Sequence, residues 1–375
     1  MNSAILKPEV QQFINENLNT EITKLILKGS PFNDISVQEL ANQIVAKQKS
    51  TKKLTTWFST DDIYYPPKVS IEQTSSEITA KYKSKIVAGN SIIDITGGFG
   101  VDCFYFSKQF KQVTHCEINE DLSKIVTHNN QQLKADNIDT FSGNGFDFLK
   151  ETNQTFDCIY IDPSRRNDVK GKVFLLKDCL PFIPPKIDFF FTKTNQILIK
   201  VSPILDISNT IKDLKNVKEV HIVALNNEVK ELLFLLEKGY EDITEIKTIN
   251  FQKENTQEFT FNLEEKPTST YTEPLTYLYE PNAAILKSGG FHQISKKLNL
   301  FKLHQHSHLY TSEKRIDFPG RIFEIQNCFS YSKSEMKDFL SNTKANITTR
   351  NFPDTVETIR KKWKIKEGGN IYCFF

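Results

Sequence analysis

No stretch of this chain approaches the ~20 consecutive apolar residues that a membrane-crossing helix needs. Met1–Val10 holds Lys7 and Glu9 and lacks both an apolar core and a small-residue cleavage site, so it does not read as an export signal. A cytoplasmic protein is the expectation. None of the six cysteines (Cys103, Cys116, Cys158, Cys179, Cys328, Cys373) pair as C-x-x-C. Four lie inside apolar segments, which points to buried reduced thiols and to neither a disulfide framework nor a zinc site. Internal repeats and low-complexity tracts are also missing, which excludes a solenoid or a biased linker.

What is present is an ordinary globular composition, 38% hydrophobic and 25% charged, with 29 Phe residues to build a core. At 375 residues the chain exceeds a single core, so two or three domains are expected. The net charge of +2 hides an asymmetry. Residues 291–375 hold 15 Lys+Arg against 8 Asp+Glu, whereas the rest holds 33 against 38. A basic C-terminal end on a near-neutral body suits a polyanionic partner, or is simply a solvated basic surface.

Residues 1–60 show apolar residues at helical spacing (Val10, Phe13, Ile14, Leu18, then Val37, Leu40, Ala41, Ile44), with Ser36 placed as an N-cap. Tyr64-Tyr65-Pro66-Pro67 breaks the chain, and a helix is expected from Glu72 to about Ser84. From Lys85 short apolar runs alternate with amphipathic stretches. Strands are expected at 91–95, 113–117, up to 142, 156–161, 196–201, 217–224 and 231–236, with helices at 101–110 and 120–133. That alternation implies a parallel sheet wound on both faces, closed by an antiparallel hairpin. Glu264–Thr272 reads as a linker, and a mixed region of strands and short helices follows.

The strongest local signal is Ile92-Ile93-Asp94-Ile95-Thr96-Gly97-Gly98-Phe99-Gly100, after a strand and before a helix. Gly97, Gly98 and Gly100 let the backbone turn sharply and approach a ligand. The spacing is not the G-x-G-x-x-G of dinucleotide binders. It suits a zwitterionic amino-acid tail, such as that of S-adenosylmethionine (SAM), whose ammonium would meet Asp94. Glu117 ends the next strand, over the crevice, where a carboxylate can accept both hydroxyls of a ribose. Loop and acid together fit NAD nearly as well as SAM. The third marker is Asp162-Pro163-Ser164-Arg165, directly after the buried strand Phe156–Ile161. A rigid Asp-Pro turn there can orient a base nitrogen by accepting its protons. Asn144, in an Asn-Gly turn, is placed to read an adenine amine, and Phe146 to pack on its face.

These motifs resemble the class I SAM-dependent methyltransferases, especially the RNA-modifying branches, which often replace the first loop glycine, as Thr96 does. More narrowly, nearly the whole chain is similar to bacterial class I methyltransferases that carry a THUMP-like domain. The matching stretches are Glu72–Glu77, Ala80–Lys83, Asp94–Asp102, Ile159–Arg166, Pro281–Ala284, Arg350–Pro353 and Glu367–Gly369. The resemblance implies a seven-stranded Rossmann-like α/β sheet, SAM as cofactor and RNA, tRNA or rRNA, as substrate. Two departures stand out. Ser164 replaces the usual second proline, and Arg165 replaces the aromatic that would stack on a base. Both argue against adenine N6 as the target and favour arginine contacts to phosphate or a base edge.

The expected organisation is a helical N-terminal domain (1–80), a SAM domain (81–263), an α+β substrate module (273–345) and a basic THUMP-like unit (346–375). Asp162, Pro163, Ser164 and Arg165 are the candidate catalytic turn, and Asp94, Thr96, Gly97, Gly98, Gly100, Glu117, Asn144 and Phe146 the cofactor set. Arg165, Arg166, Lys361, Lys362, Trp363 and Lys364 are the candidate RNA contacts, with Trp363 either stacking on a base or serving as core. His304, His306 and His308 would share one face of a strand, but no acidic or cysteine ligand lies near, so no metal is expected. Lys287-Ser288-Gly289-Gly290 lacks the spacing of a phosphate-binding loop. The rival readings are a methyltransferase acting on a protein or small molecule, an RNA-binding protein that has kept the fold and lost catalysis, and an NAD-dependent oxidoreductase, which the loop spacing and the Asp-Pro turn oppose.

Overall fold

The computed structural model describes residues 1–165 and 175–375. Two compact units divide the chain: Met1–Val220 with Leu232–Asp242, and His221–Glu231 with Ile243–Phe375. No helix among the described residues is long and apolar enough to cross a membrane.

The first unit begins with six helices: α1 (Pro8–Glu16), α2 (Ile22–Lys28), α3 (Val37–Lys53), α4 (Thr55–Ser59), α5 (Lys68–Gln73) and α6 (Glu77–Ile86). Ser36 caps α3 as expected, in a reciprocal box with Glu39. The single helix expected across 72–84 is two, because the Ser76 side chain accepts the Thr79 N–H and restarts the helix there. These helices are packed into the unit rather than forming a separate body. Trp57 is buried edge-on against Phe104, and the Asn129 side chain bonds both backbone groups of Tyr64.

The sheet follows as β1 (Ser91–Asp94), α7 (Val101–Phe106), β2 (Gln112–Glu117), α8 (Glu120–Gln132), β3 (Ile138–Ser142), α9 (Gly145–Glu151) and β4 (Cys158–Ile161). A two-residue hairpin, β5 (Ser164–Arg165) with β6 (Cys179–Leu180), precedes α10 (Ile187–Phe190), β7 (Gln196–Val201), α11 (Ile207–Asp213), β8 (Val217–Leu225) and β9 (Glu228–Glu237). The expected seven strands lie in the order β8-β9-β7-β4-β1-β2-β3. Pairs β3–β2, β2–β1, β1–β4 and β4–β7 are parallel, and β7–β9 is antiparallel. Ile92, Ile93 and Cys158–Ile161 are fully buried, as strands covered on both faces must be. Strand order reverses between β1 and β4. Their C-terminal ends therefore open the crevice where ligands of such sheets bind.

The second unit adds a hairpin the sequence reading did not contain, β10 (Glu245–Phe251) and β11 (Thr256–Asn262), which extends the ladder to nine strands beyond β8. Next come β12 (Tyr277–Pro281), α12 (Ala283–Ser288), α13 (Phe291–Lys297), β13 (Phe301–Lys302), β14 (Tyr310–Ser312) and β15 (Gly320–Glu324), an antiparallel sheet ordered β13-β14-β12-β15. The chain continues through α14 (Lys333–Phe339), β16 (Lys344–Thr348), α15 (Val356–Trp363) and β17 (Lys366–Phe374), with β16 and β17 parallel. Met336, Leu340, Ala345, Ile359 and Ile365 form the core of this last part.

One buried carboxylate links the pieces of the second unit. Glu280 of β12 accepts from Arg321 of β15 and, at 2.7 Å, from Arg350 beyond β16. Glu280→Ala should therefore destabilise the protein by about 2 kcal/mol, because two arginines lose their acceptor. A lower thermal unfolding midpoint is expected; an unchanged one would show that water already screens the pair.

Candidate active site

At the end of β1 the chain leaves Asp94 buried, with only 2% of its surface exposed. Its Oδ1 accepts both the Thr96 N–H (2.9 Å) and the Thr96 hydroxyl (3.0 Å). Burial pushes the carboxyl up to about 7, although the Thr96 bonds pull the other way. A buried acid near neutrality is held ionised by any cation placed against it. The Thr96 hydroxyl also accepts the Asp162 N–H at 2.7 Å. The residue that replaces the family's first glycine thus joins the ends of β1 and β4.

The glycine loop differs from expectation in one respect. The helix after it is α7, only six residues long rather than the ten expected, and the Gly98 N–H is already donated to Glu117 Oε2 at 2.8 Å. Beyond Phe106 the ladder tightens, with Lys108 and Gln109 bonding three residues back to Tyr105 and Phe106, so the last turn to Phe110 is no longer α-helical. Gly98 and Gly100 have φ of 61° and 78°, the left-handed region that favours glycine. Gly97 is required for space. A Cβ there would lie 2.6 Å from the Cys116 carbonyl oxygen and 2.6 Å from His115 Nε2. His115, which no motif flagged, is fully buried. Burial drops its pKa to about 4, so the neutral ring backs the loop, with Nε2 3.2 Å from the Gly98 carbonyl.

Glu117 sits at the end of β2, as expected. Its Oε2 is held by Gly98 and its Oε1 accepts the Asn119 N–H at 2.7 Å. A carboxylate has about four acceptor sites, so each oxygen keeps one lobe for a hydroxyl. Beside it Ile118 is 74% exposed, an apolar face next to the carboxylate that no sequence motif flagged.

Asn144 and Phe146 are placed differently from their expected roles. Asn144 caps α9: its Oδ1 accepts the N–H groups of Phe146 (2.9 Å) and Asp147 (3.4 Å). The cap engages the oxygen that would read an amine. The Phe146 ring packs edge-on to Phe189 and Phe190 and carries the ammonium groups of Lys186 and Lys150 at 4.1 and 4.4 Å from its centre. Its face is occupied by cations rather than open to a purine. Gly145, between them, is needed because a Cβ would lie 2.6 Å from Ile95 Cα.

Asp162 begins the turn after β4. Its N–H is tied to Thr96, and its Oδ2 forms an ion pair with Lys200 Nζ from the end of β7. Pro163 is buried and Ser164 exposed. Ser164 pairs with Leu180 in the β5–β6 hairpin, a ladder position where a proline would remove a backbone donor. Arg165 closes β5 by its backbone; its side chain, and all of Arg166, lie outside the described residues. Behind the turn Asp102 is buried against Lys83 (3.1 Å), the Tyr160 hydroxyl (2.9 Å) and the Ser75 hydroxyl (2.9 Å). Burial alone would raise its carboxyl, but the Lys83 and Lys200 ammonium groups hold it below its ordinary value.

In the second unit Lys361, Lys362 and Lys364 are exposed at the end of α15, whereas Trp363 is half-buried on the core with its indole N–H given to Tyr331 Oη at 3.1 Å. The packing alternative for Trp363 is the one observed. His304, His306 and His308 lie in the turn between β13 and β14, not on a strand, and His308 stacks on Phe291. No group of His, Cys, Asp and Glu among the described residues is arranged to hold a metal. Lys287–Gly290 ends α12, with Gly289 as its left-handed cap. Cys103, Cys116, Cys158 and Cys179 are buried and unpaired, as expected.

The full chain is similar to a crystal structure from Porphyromonas gingivalis W83, provisionally named a methyltransferase. Identity is 30% over 99% of this chain and 94% of that one, with a TM-score of 0.88. The chain belongs to that methyltransferase family. The sheet domain of this methyltransferase matches the family model for RNA cap guanine-N2 methyltransferase over residues 89–179, so it is of the RNA-methyltransferase type. Residues 277–319 match a ferredoxin-like domain and 320–375 a THUMP-like domain. Weaker likenesses cover 43% of the chain. One is M. capricolum TrmK with S-adenosyl-homocysteine (14% identity, 68% of that chain, TM-score 0.33). Another is SMU.1697c of Streptococcus mutans with SAH (15% identity, 96% of that chain, TM-score 0.32). No curated protein matches it.

Proposed function

We propose that this methyltransferase binds SAM over the ends of β1 and β2 and methylates a base nitrogen in a cytoplasmic structured RNA, tRNA or rRNA. The observation that carries the reading is the Thr96 bridge. One hydroxyl connects Asp94, a buried acid suited to an ammonium, with Asp162, an acid suited to a base N–H. The residues present fit the cofactor: Asp94 for the amino group, the space kept by Gly97 for close backbone approach, and Glu117 for two vicinal hydroxyls. SAM supplies a methyl group on a sulfonium that is its own leaving group. The chain's work is to position the acceptor. Asp162 accepts an N–H of the base, so the nitrogen lone pair aims at the methyl carbon. The N–C bond forms as the C–S bond breaks, and the nitrogen's proton departs to Asp162 or water. An exocyclic amine such as guanine N2 fits an acceptor-only carboxylate, and guanine N2 is the atom in the name of the matching family model. With no aromatic after Asp162, adenine N6 is disfavoured. Lys361, Lys362 and Lys364 supply cations for phosphates.

Calorimetric titration with SAM and its demethylated product tests the cofactor. Wild type should bind in the micromolar range and Glu117→Ala far more weakly; a folded wild type that takes neither compound would refute the reading. The pH dependence is a second check. Asp94 holds a proton below about 7, and an ammonium ligand needs that proton gone. SAM affinity should therefore fall as pH drops through 7, approaching about tenfold per unit. A flat profile from pH 8 to 5.5 would remove Asp94 from the ammonium site.

A further inference from the structure

The structure assigns to Lys200 the role of positioning residue for methyl transfer: it fixes the Asp162 carboxylate so that one oxygen is left for the incoming base. This rests on the methyltransferase reading above. Lys200 comes from the last turn of ladder in β7, a strand that no motif in the sequence connects with the site. Its ammonium bonds Asp162 Oδ2, and its side chain is 14% exposed while that of Asp162 is 37% exposed. Asp162 is thereby gripped at two points, by Thr96 through its backbone N–H and by Lys200 through Oδ2, which leaves Oδ1 as the free acceptor among the described residues.

The charge of Lys200 also reaches a second carboxylate. Asp102 on α7 feels its charge together with that of Lys83, and is bonded by Tyr160 of β4 and Ser75. Lys200 therefore acts on two carboxylates, the half-exposed Asp162 by a direct ion pair and the buried Asp102 through its charge. An ion pair on the protein surface rarely fixes a side chain, because water competes and the rotamers stay free. Here the lysine is largely buried and also feels the charge of Asp102, so the geometry of Asp162 is set before any substrate arrives. A carboxylate free to rotate would present its acceptor to the base in only a fraction of encounters.

The test uses the full chain, tritium-labelled SAM and deproteinised total RNA as acceptor. Lys200→Met and Lys200→Gln should lower kcat about ten- to a hundredfold while leaving KM for SAM and calorimetric SAM affinity within about twofold. Lys200→Arg should recover most of the rate, since a guanidinium can make the same pair. Thermal unfolding of each variant identifies any loss of fold, and the glutamine variant keeps a donor without the charge. Met and Gln variants as fast as the wild type would overturn the proposal. So would a fall in SAM affinity that tracks the fall in rate, or failure of arginine to restore a folded variant. No transfer by the wild type itself would sink the methyltransferase reading, and this proposal with it.

Discussion

Asp94→Asn should abolish SAM binding and at the same time raise the unfolding midpoint of the free protein. The two effects share one cause. Asp94 is buried, and burial raises its carboxyl to about 7, far above the usual carboxylate range. For a group whose folded-state value is raised, the proton is held more tightly in the fold than in the unfolded chain. The stabilisation is complete below about pH 4 and is lost as pH rises through about 7. Above that, the bare buried charge costs on the order of a few kcal/mol. Asparagine carries no charge, and its oxygen can still accept from the Thr96 N–H and hydroxyl. Free protein at pH 8 should therefore melt later, with the gain shrinking as pH falls. SAM, deprived of its counter-charge, should bind at least a hundredfold more weakly. A variant that melts earlier at pH 8, or that binds SAM like the wild type, contradicts this.

The second large effect separates two adjacent glycines. At Gly97 an added methyl meets a backbone carbonyl and a buried imidazole at 2.6 Å each, and neither can yield without moving β2. Gly97→Ala should lose SAM binding and cost about 1–3 kcal/mol of stability from overpacking. At Gly98 the nearest atom is 4.0 Å away, and only the φ of 61° opposes alanine. Gly98→Ala should cost about 1–2 kcal/mol from backbone strain alone and keep measurable SAM binding. Calorimetry and thermal melts on both variants check the order; equal losses would mean that strain, not space, governs the loop.

The difference between what the sequence disclosed and what it did not follows from how each feature is encoded. Asp94, Glu117 and Asp162 were legible because each ends an apolar run, and a parallel sheet places such ends on one crevice. Lys200 and Lys83 were not. A lysine at the end of a strand or within a helix looks like surface until the fold brings it against Asp162 or Asp102. His115 and Gly145 likewise act through space on a loop remote in the chain, and local spacing has no record of that. Asn144 was ambiguous between a cap and an adenine reader, and the backbone N–H groups of α9 took its oxygen. Trp363 carried basic neighbours that suggested stacking, yet its indole is packed on Met336 and its neighbours in the core. The β10–β11 hairpin was missed because two of the buried positions of β10, Thr248 and Asn250, are polar and break the apolar alternation that marks a strand.

Methyl transfer from SAM to RNA through Asp162 can be tested in one experiment. Wild type and Asp162→Asn are incubated with tritium-labelled SAM and deproteinised total RNA, and the product is digested with ribonuclease or protease before counting. The wild type should give macromolecular label that ribonuclease releases and protease does not, and the variant at least a hundredfold less while still binding SAM. Label released only by protease, or equal label from both proteins, would contradict it.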